Sequence, residues 1–370
     1  MLIRVAWLVL LALWLTHAQA GEVLSRVGTL VVPSASASHP FVDWDIELVD
    51  DSIDRFVLAD VSDRSLDVYQ ASTGTFLFSV RGFSGARKAA DWALNGPSGV
   101  VVVATVYGME AWVGDGNSTV KVVSLATGRV VDTISTGGET RVDELTYDPR
   151  DQLVLADNPS ERIPVATLIS TAPGHAILGR LSFPNATAGL EQGVWSPETG
   201  LIYLDVPELR HGEGGLAIID PVAKRVVKML RIPRCHPNGI ALSLSGHLLL
   251  GCRQQKSKSG RELSSALMLD LRTEKQLVSF PGIVSDEIAF NPRDERFYLS
   301  AYDQPTGPEL IALDSAVPAR PSLAARTGDL AHSVAVDART NHIFVPLRPD
   351  SGDPACLYGC IGVYMVTRRQ

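Results

Sequence analysis

The stretch VDELTYDPRDQLVLADN, from Val142 to Asn158, returns in altered form as SDEIAFNPRDERFYLSAYD, from Ser285 to Asp303. Each copy has a short alternating strand, a polar turn and a second apolar strand. A second hairpin follows in each unit, as in LAIIDPVAKRVVKML from Leu216 to Leu230. Further copies of the first hairpin begin at Asp45, Leu190, Pro237 and His332.

The polar residue that ends the first strand of a unit sets the period of the repeat. It recurs at positions 50, 103, 148, 196, 243, 291 and 337, which are 45 to 53 residues apart, with an irregular first turn in the unit at 103. Seven four-stranded units at this spacing predict an all-β fold, a seven-bladed β-propeller. The period-two alternation excludes helical repeats.

The two ends of the chain are predicted to meet in one blade. The last unit has one strand too few, and the segment VGTLVVP, from Val27 to Pro33, belongs to no unit. A strand at Val27–Pro33 would close the ring and leave no open sheet edge. The alternative is that this segment is a linker.

Composition and the first residues indicate an exported globular protein. Arg4, an apolar run and Ala18-Gln19-Ala20 resemble a secretion signal, so residues 1–20 are predicted to be removed and residues 21–370 to form the propeller. A net charge of −8 over 370 residues argues against a nucleic-acid partner. No later stretch is long and apolar enough to span a bilayer. We expect a monomer located outside the cell or in a periplasm.

Four cysteines in an exported chain favour two disulfides over a zinc site. Cys235 opens the first strand of blade five and Cys252 closes the second, so antiparallel pairing brings them together. Cys356 and Cys360 share the last loop. The predicted pairs are Cys235–Cys252 and Cys356–Cys360.

One residue per blade stands where the first strand begins at the channel mouth. These residues are Asp45, Ser98, Asp143, Glu191, Asn238, Asp286 and His332. Carboxylate and amide oxygens suit a hard divalent cation such as Ca²⁺, and the imidazole would also permit a transition metal. The alternatives are a polar ligand held among waters, or a solvated mouth with no ligand.

The neighbours of this column add a cation, a second imidazole and further acidic or amide groups. Arg141 could bind a substrate carboxylate, or it could neutralise Asp143 and Glu191. His236 lies on the same side of its strand. The opposite alternation of Glu144, Gln192 and Glu287 predicts side chains that point between blades. The polar stretch from Arg253 to Ser265 is predicted to be a loop at the rim.

Two family resemblances rest on these repeats. Across nearly all of the mature chain the repeats resemble secreted YVTN-type seven-bladed propellers. EQGVWSPETGLIYLD from Glu191, PNGIALS from Pro237 and SDEIAF from Ser285 are similar to segments of the senescence-marker-protein/gluconolactonase lactonases, which have six blades. That resemblance implies Glu191, Asn238 and Asp286 as ligands of a divalent cation.

The leading functional hypothesis is a metal-dependent hydrolase of the lactonase type, or a lyase or isomerase, acting on a small oxygenated metabolite. Asp286 would assist catalysis, His332 or Asp143 would be the general base, and Arg141 would orient the substrate. The second hypothesis is a non-catalytic propeller that recognises a sugar, a peptide or an envelope partner. A redox subunit is disfavoured because the sequence has no C-x-x-C-H haem-attachment motif.

Overall fold

Seven four-stranded antiparallel sheets follow one another along the chain in the computed structural model. It describes residues 21–85, 89–253, 255–256, 262–263, 265–302, 304, 306–317 and 322–368, so the predicted signal segment lies outside the described residues. The sheets are the blades of a propeller, which confirms the predicted fold class. Blades 1 to 6 are each built from consecutive hairpins, and the strand order is sequential in each.

The strand bounds are, in blade 1, β2 (Glu47–Asp50), β3 (Arg55–Asp60), β4 (Ser65–Gln70) and β5 (Thr75–Arg81); in blade 2, β6 (Val100–Thr105), β7 (Gly108–Asp115), β8 (Thr119–Ser124) and β9 (Arg129–Ser135); in blade 3, β10 (Leu145–Asp148), β11 (Leu153–Asn158), β12 (Val165–Ser170) and β13 (Ile177–Ser182); and in blade 4, β14 (Gly193–Trp195), β15 (Ile202–Val206), β16 (Gly214–Asp220) and β17 (Arg225–Ile232).

The remaining bounds are, in blade 5, β18 (His236–Leu242), β19 (His247–Arg253), β22 (Ser265–Asp270) and β23 (Lys275–Pro281); in blade 6, β24 (Ile288–Asn291), β25 (Arg296–Ala301), β26 (Glu309–Asp314) and β27 (Leu323–Arg326); and in blade 7, β28 (Ala335–Asp337), β29 (His342–Leu347), β30 (Cys360–Arg368) and β1 (Glu22–Val31). A small hairpin, β20 (Gln255–Lys256) with β21 (Glu262–Leu263), extends from blade 5. Short 3-10 segments cover Ala89–Leu94 and Pro354–Cys356.

The recurring polar residue of the repeat accepts hydrogen bonds from backbone N–H groups in the first turn of its blade. Asp148 Oδ1 accepts from the backbone N–H groups of Arg150 and Asp151 at 2.9 and 3.1 Å, and Asn291 Oδ1 accepts from Arg293 at 3.0 Å. Such turns favour Asp, Asn and Ser. In blade 2 the turn residue is Thr105, whose hydroxyl accepts from the N–H of Tyr107. The landmark at 103 is therefore two residues too early.

The ring is closed by an N-terminal strand, as predicted, although the strand is longer than expected. β1 pairs with β30 from Glu22 opposite Arg368 to Val31 opposite Cys360. Its bounds are Glu22–Val31, whereas the sequence indicated Val27–Pro33. β1 is thus the outer strand of blade 7, and the two ends of the chain are hydrogen-bonded to each other.

The apolar core is divided into clusters that lie between neighbouring blades. One cluster joins Leu155 and Leu168 of blade 3 to Ile202 and Leu204 of blade 4, and equivalent clusters lie between the other pairs, including blades 7 and 1. Each sheet therefore buries both faces against its neighbours, and burial of apolar surface holds the ring together.

The first strands approach one another closely around the axis. The N–H of Gly99 donates to the carbonyl of Asp143 in the next blade at 2.6 Å, and that of Glu287 donates to the carbonyl of His332 at 3.1 Å. A Cβ on Gly239 would lie 1.8 Å from the carbonyl oxygen of Asp286, so only glycine allows this approach. These contacts fix the backbone at the positions that carry the column residues.

Both predicted disulfides are present, Cys235–Cys252 and Cys356–Cys360, and the cysteines are buried. Two disulfides fit an oxidising compartment. In the described part of the chain no helix is long and apolar enough to cross a bilayer.

Candidate functional site

Five of the seven column residues meet at one pocket on the axis of the ring. Asp45, Asp143, Glu191, Asp286 and His332 line this pocket, which has a volume of about 300 Å³ and is called the mouth pocket below. They come from blades 1, 3, 4, 6 and 7. The convergence predicted from the repeat alignment is therefore found for these five side chains.

The other two column residues are enclosed in the protein. Ser98 and Asn238 are both 0% exposed, and they are not part of the mouth-pocket wall. Asn238 stands at a bulge of β18, between Pro237 and Gly239, where the register with β19 shifts. The bulge adds a residue to the strand, so equal spacing in the alignment does not give an equal side-chain direction.

Arg141 binds two carboxylates of the mouth pocket. Its Nη1 lies 3.1 Å from Asp45 Oδ2, and its Nη2 lies 2.5 Å from Asp143 Oδ2. These ion pairs fit the neutralising alternative for Asp143 and add Asp45 to it, and a role of Arg141 in binding a substrate carboxylate stays a prediction. Both acids precede the first strands of their blades, and Arg141 joins blade 3 to blade 1 across the axis.

Glu191 is bound by an arginine that the sequence analysis assigned to a rim loop. Arg253 Nη2 lies 2.8 Å from Glu191 Oε1. Arg253 is the last residue of β19, and it stands opposite His236 in the ladder. The interpretation of Arg253 as a loop residue is therefore wrong, because β19 continues one residue past Cys252. The register of the Cys235–Cys252 hairpin was the signal in the sequence that could have placed Arg253 at the mouth.

A second polar layer lies beneath the column. Gln192 Oε1 accepts from the N–H of Ile240 at 2.7 Å, so this side chain of blade 4 bonds the backbone of blade 5. Glu144 and Glu287 instead line the mouth pocket, so the prediction that they point between blades is wrong for these two. Burial raises the pKa of both carboxyls, and the Glu287 carboxyl adds to the rise at Glu144. Both precede the first residue of their strands, Leu145 and Ile288, and strand alternation does not apply to them.

Burial determines which carboxyl groups of the mouth pocket carry a proton. Removal from water raises the pKa of Asp143 to about 6, against the opposing pull of Arg141. It raises the pKa of Glu191 to about 8, although Arg253 favours the ionised form. The pKa values of Asp45 and Asp286 are raised for the same reason. Removal from water disfavours a charged carboxyl, so the pocket holds protons near neutral pH.

Aromatic rings form the upper wall of the mouth pocket. Trp92, in the 3-10 segment Ala89–Leu94, lies over the Arg141 guanidinium at 5.1 Å, and its side chain is 56% exposed. Trp44 stacks on His332 with ring centres 5.6 Å apart. His332 Nδ1 is 2.8 Å from the carbonyl oxygen of Leu330. Sequence reasoning missed both tryptophans, because neither belongs to the repeated strands.

The mouth pocket opens into a larger trough over blades 3 and 4. This trough has a volume of about 870 Å³ and shares five wall residues with the mouth pocket: Trp92, Arg141, Asp143, Glu191 and Arg253. Its far wall carries Pro159, Pro164, Pro184, Ala188 and Gly189. Together the two cavities offer a polar inner end and a shallow outer groove.

The residues proposed as metal ligands do not form a coordination sphere in this arrangement. Arg253 lies on Glu191, and the side chain of Asn238 is enclosed in blade 5. Among the described residues there is no group of three or more His, Cys, Asp or Glu side chains placed to hold a metal ion. Ligation of a divalent cation by Glu191, Asn238 and Asp286 stays a prediction.

Comparison with known proteins supports the fold. No protein-family model and no curated protein sequence matches this chain. Solved structures do. A chain of a "Mitotic Checkpoint Complex" crystal structure has a TM-score of 0.64 at 10% identity, covering 99% of this chain and 98% of that one.

Two further structures are similar. The Neurospora crassa Pan2 WD40 domain has a TM-score of 0.64 at 10% identity, covering 92% of this chain and 94% of that one. Kuenenia stuttgartiensis hydrazine synthase has a TM-score of 0.66 at 12% identity, covering 89% and 95%. Identities this low establish the propeller fold alone. The YVTN and lactonase resemblances stay predictions.

Proposed function

We propose that this protein is a binding propeller that recognises a ligand in the mouth pocket and the adjoining trough. The observation that carries the proposal is the continuity of the two cavities around Trp92 and Arg141. A concave site with a few convergent polar groups and an exposed aromatic ring is typical of ligand recognition. Two of the similar structures, the Pan2 WD40 domain and the chain of the mitotic checkpoint complex, are consistent with a binding role.

The test is a ligand screen on the full mature protein, with thermal unfolding as the readout and polar metabolites and short peptides as probes. We expect a hit to raise the melting temperature of the natural protein and to lose at least about tenfold in affinity in Trp92→Ala. Leu94→Ala is the matched control, because Leu94 is exposed on the same segment. Hits that bind equally well to Trp92→Ala and Glu191→Gln would show that the ligand site lies elsewhere.

A second candidate, acid–base catalysis on a small oxygenated metabolite, is favoured by the raised pKa of Asp143, about 6, in a pocket shared with Asp286 and His332. A group whose pKa lies near the working pH serves well as a general base. In this hypothesis Asp143 or His332 takes a proton from water, Asp286 assists, and Arg141 orients the substrate.

Lactone hydrolysis measured on the purified protein and on Asp143→Asn and Asp286→Ala tests this candidate. We expect turnover, assayed well below the melting temperature of each variant, to fall by about 100-fold or more. Elemental analysis of the same sample tests the predicted metal. Turnover that is unchanged in both variants would rule out the proposed catalytic roles.

A further inference from the structure

The geometry points to an organic cation, an ammonium or guanidinium group, as the part of the ligand that enters the mouth pocket; this inference rests on the proposed binding function. The wall of the pocket has a large excess of acidic groups. Two arginines and one histidine, Arg141, Arg253 and His332, face seven carboxyl groups there. The carboxyl groups are those of Asp43, Asp45, Asp143, Glu144, Glu191, Asp286 and Glu287.

The two arginines do not reach every acid. Arg141 is bonded to Asp45 and Asp143, and Arg253 is bonded to Glu191. Glu287 is 4% exposed, and its Oε2 has no hydrogen-bond partner among the described residues. A buried acceptor without a partner is costly, so a donor brought by a ligand would be stabilising there. The unmatched acceptor lies beneath Asp286, on the blade 6 side of the pocket.

The aromatic wall favours an organic cation over a metal ion. Trp44 is 2% exposed, and its ring stacks on both Phe41 and His332. The aromatic ring open to a ligand is therefore that of Trp92, which is 56% exposed and extends over Arg141 at the rim. Faces of aromatic rings attract alkylammonium and guanidinium groups. A small hydrated metal ion would need several oxygen ligands around one point, and no such group is present among the described residues.

Two buried donors indicate an acceptor oxygen close to the cationic group. Nε1 of Trp44 and Nε of Arg141 are both enclosed and have no hydrogen-bond partner among the described residues. A ligand with a carbonyl or carboxylate oxygen a few bonds from its cation would satisfy the unpaired donors with that oxygen and the unpaired carboxyl oxygen with its cation. Lysine and arginine derivatives have this chemistry, either as free molecules or as residues of a peptide whose chain lies in the trough.

Isothermal titration of the full mature protein tests the inference with Nα-acetyl-lysine methylamide and its neutral Nε-acetylated counterpart. We expect the charged compound to bind at least about tenfold more tightly, because only its cation stabilises the ionised form of acids such as Glu287, which release a proton when the cation binds. This comparison needs no variant. The tripeptide Gly-Lys-Gly separates the two sources of the ligand, since tighter binding of the peptide shows that the trough takes part.

Variants locate the cation. Glu287→Gln and Asp286→Asn are expected to weaken binding of the charged compound by about tenfold each. Glu198→Gln removes the same charge from an exposed turn outside the pocket, and it is expected to leave affinity unchanged. Equal losses in all three variants would show a nonspecific attraction to an acidic protein and overturn the inference.

The outcome for neutral ligands separates the two proposals. A neutral or anionic ligand that binds in a Trp92-dependent manner, with no binding of the cations, overturns the cation and leaves the binding function in place. If no ligand, whether cationic, neutral or anionic, depends on Trp92 for binding, both the binding function and the cation are overturned. Equal affinity for the charged and the acetylated compound overturns the cation alone.

Discussion

At the residue scale, Arg141 decides the electrostatics of the mouth. Its side chain is 17% exposed, and the carboxylates that it binds, Asp45 and Asp143, are 15% and 5% exposed. Its N–H donates to the carbonyl of Ala93 at 2.7 Å, and this bond holds the segment that carries Trp92 over the guanidinium. One residue therefore joins blade 1, blade 3 and the aromatic rim.

Arg141→Met is expected to destabilise the protein strongly. The substitution leaves Asp45 and Asp143 buried without their partner, and loss of one member of a buried ion pair costs about 3–5 kcal/mol. Chemical denaturation followed by tryptophan fluorescence measures the change. Arg150→Met is the control, because Arg150 is half exposed and its pairing with Asp151 contributes less than about 1 kcal/mol.

Adding Asp143→Asn to Arg141→Met should recover part of the lost stability, because it removes one of the two unpaired charges. A double variant as unstable as the single one would contradict the assignment of the loss to unpaired charge. In that case packing of the arginine stem would be the larger contribution.

At the scale of the elements, the close approach of first strands positions the column residues. Gly239 of β18 lies against the carbonyl of Asp286, and Gly99 lies against the carbonyl of Asp143. In both pairs the backbone of one blade fixes the residue that faces the mouth in the next. The geometry of the mouth pocket is therefore set by contacts between blades, as much as by the side chains that line it.

Gly239→Ala is expected to destabilise the protein by about 1–3 kcal/mol and to weaken ligand binding at the mouth, because the new methyl group pushes Asp286 aside. Thermal unfolding and titration with the best ligand measure the two effects. Gly28→Ala is the control, since a Cβ there would be 3.6 Å from its nearest neighbour, an ordinary contact. Equal effects of the two substitutions would contradict the role assigned to Gly239.

At the scale of the whole molecule, the ring is held by its closure. β1 is the only outer strand of a blade supplied from the opposite end of the chain among the described residues. Arg26 binds Asp353 at 2.7 Å, and Arg296 of blade 6 binds Glu22 at 2.5 Å, so β1 is tied to blade 6 as well as to blade 7. Removal of β1 would expose the edge of β30.

Deletion of residues 21–31 is expected to lower the melting temperature by at least about 10 °C and to promote aggregation through the freed edge of β30. Size-exclusion chromatography and thermal unfolding detect both effects. Arg296→Met provides a second test, since it removes the tie to Glu22 together with the pairing of Arg296 with Asp294 within blade 6. A deletion variant that stays monomeric with an unchanged melting temperature would contradict closure as a source of stability.

Stability is also expected to depend on pH through carboxyls buried in the blades. Removal from water, together with the nearby charges of Asp67 and Asp63, raises the pKa of Asp60 to about 8. The folded protein therefore keeps a proton on Asp60 that the unfolded chain releases near its ordinary pKa of about 4. Since the folded state binds more protons between these values, stability falls as pH rises from about 4 to about 8.

Asp60→Asn should remove the Asp60 part of this dependence, with equal stability near pH 4 or below and a gain on the order of a few kcal/mol near pH 8. The amide oxygen can still accept from the N–H of Asp63, as the carboxyl does at 3.0 Å. Denaturation at several pH values measures the slope, with Asp151→Asn as a charge-matched surface control. A variant with the same pH slope as the natural protein would contradict the assignment to Asp60.

The repeat predicted most of the fold and about half of the site. Its turn residues, such as Asp148 and Asn291, bond the backbone of their own hairpin, so the pattern is local and readable. The same alignment found Asp143 and Asp286 but misjudged Asn238, because a bulge in β18 breaks the register. Trp92 and Arg253 went unrecognised because they lie in an insertion and at the end of a second strand.

The amino-acid sequence was enough to predict the architecture, because hairpins, blade number, ring closure and both disulfides follow from contacts between residues near each other in the chain or from a simple count of strands. The charge pairs at the mouth became visible only in the folded ring. Arg253 of blade 5 pairs with Glu191 of blade 4, and Arg141 of blade 3 pairs with Asp45 of blade 1. The spacing of these residues in the chain does not indicate the directions of their side chains. Pairing at the centre of a ring depends on every blade at once, and no single repeat encodes it.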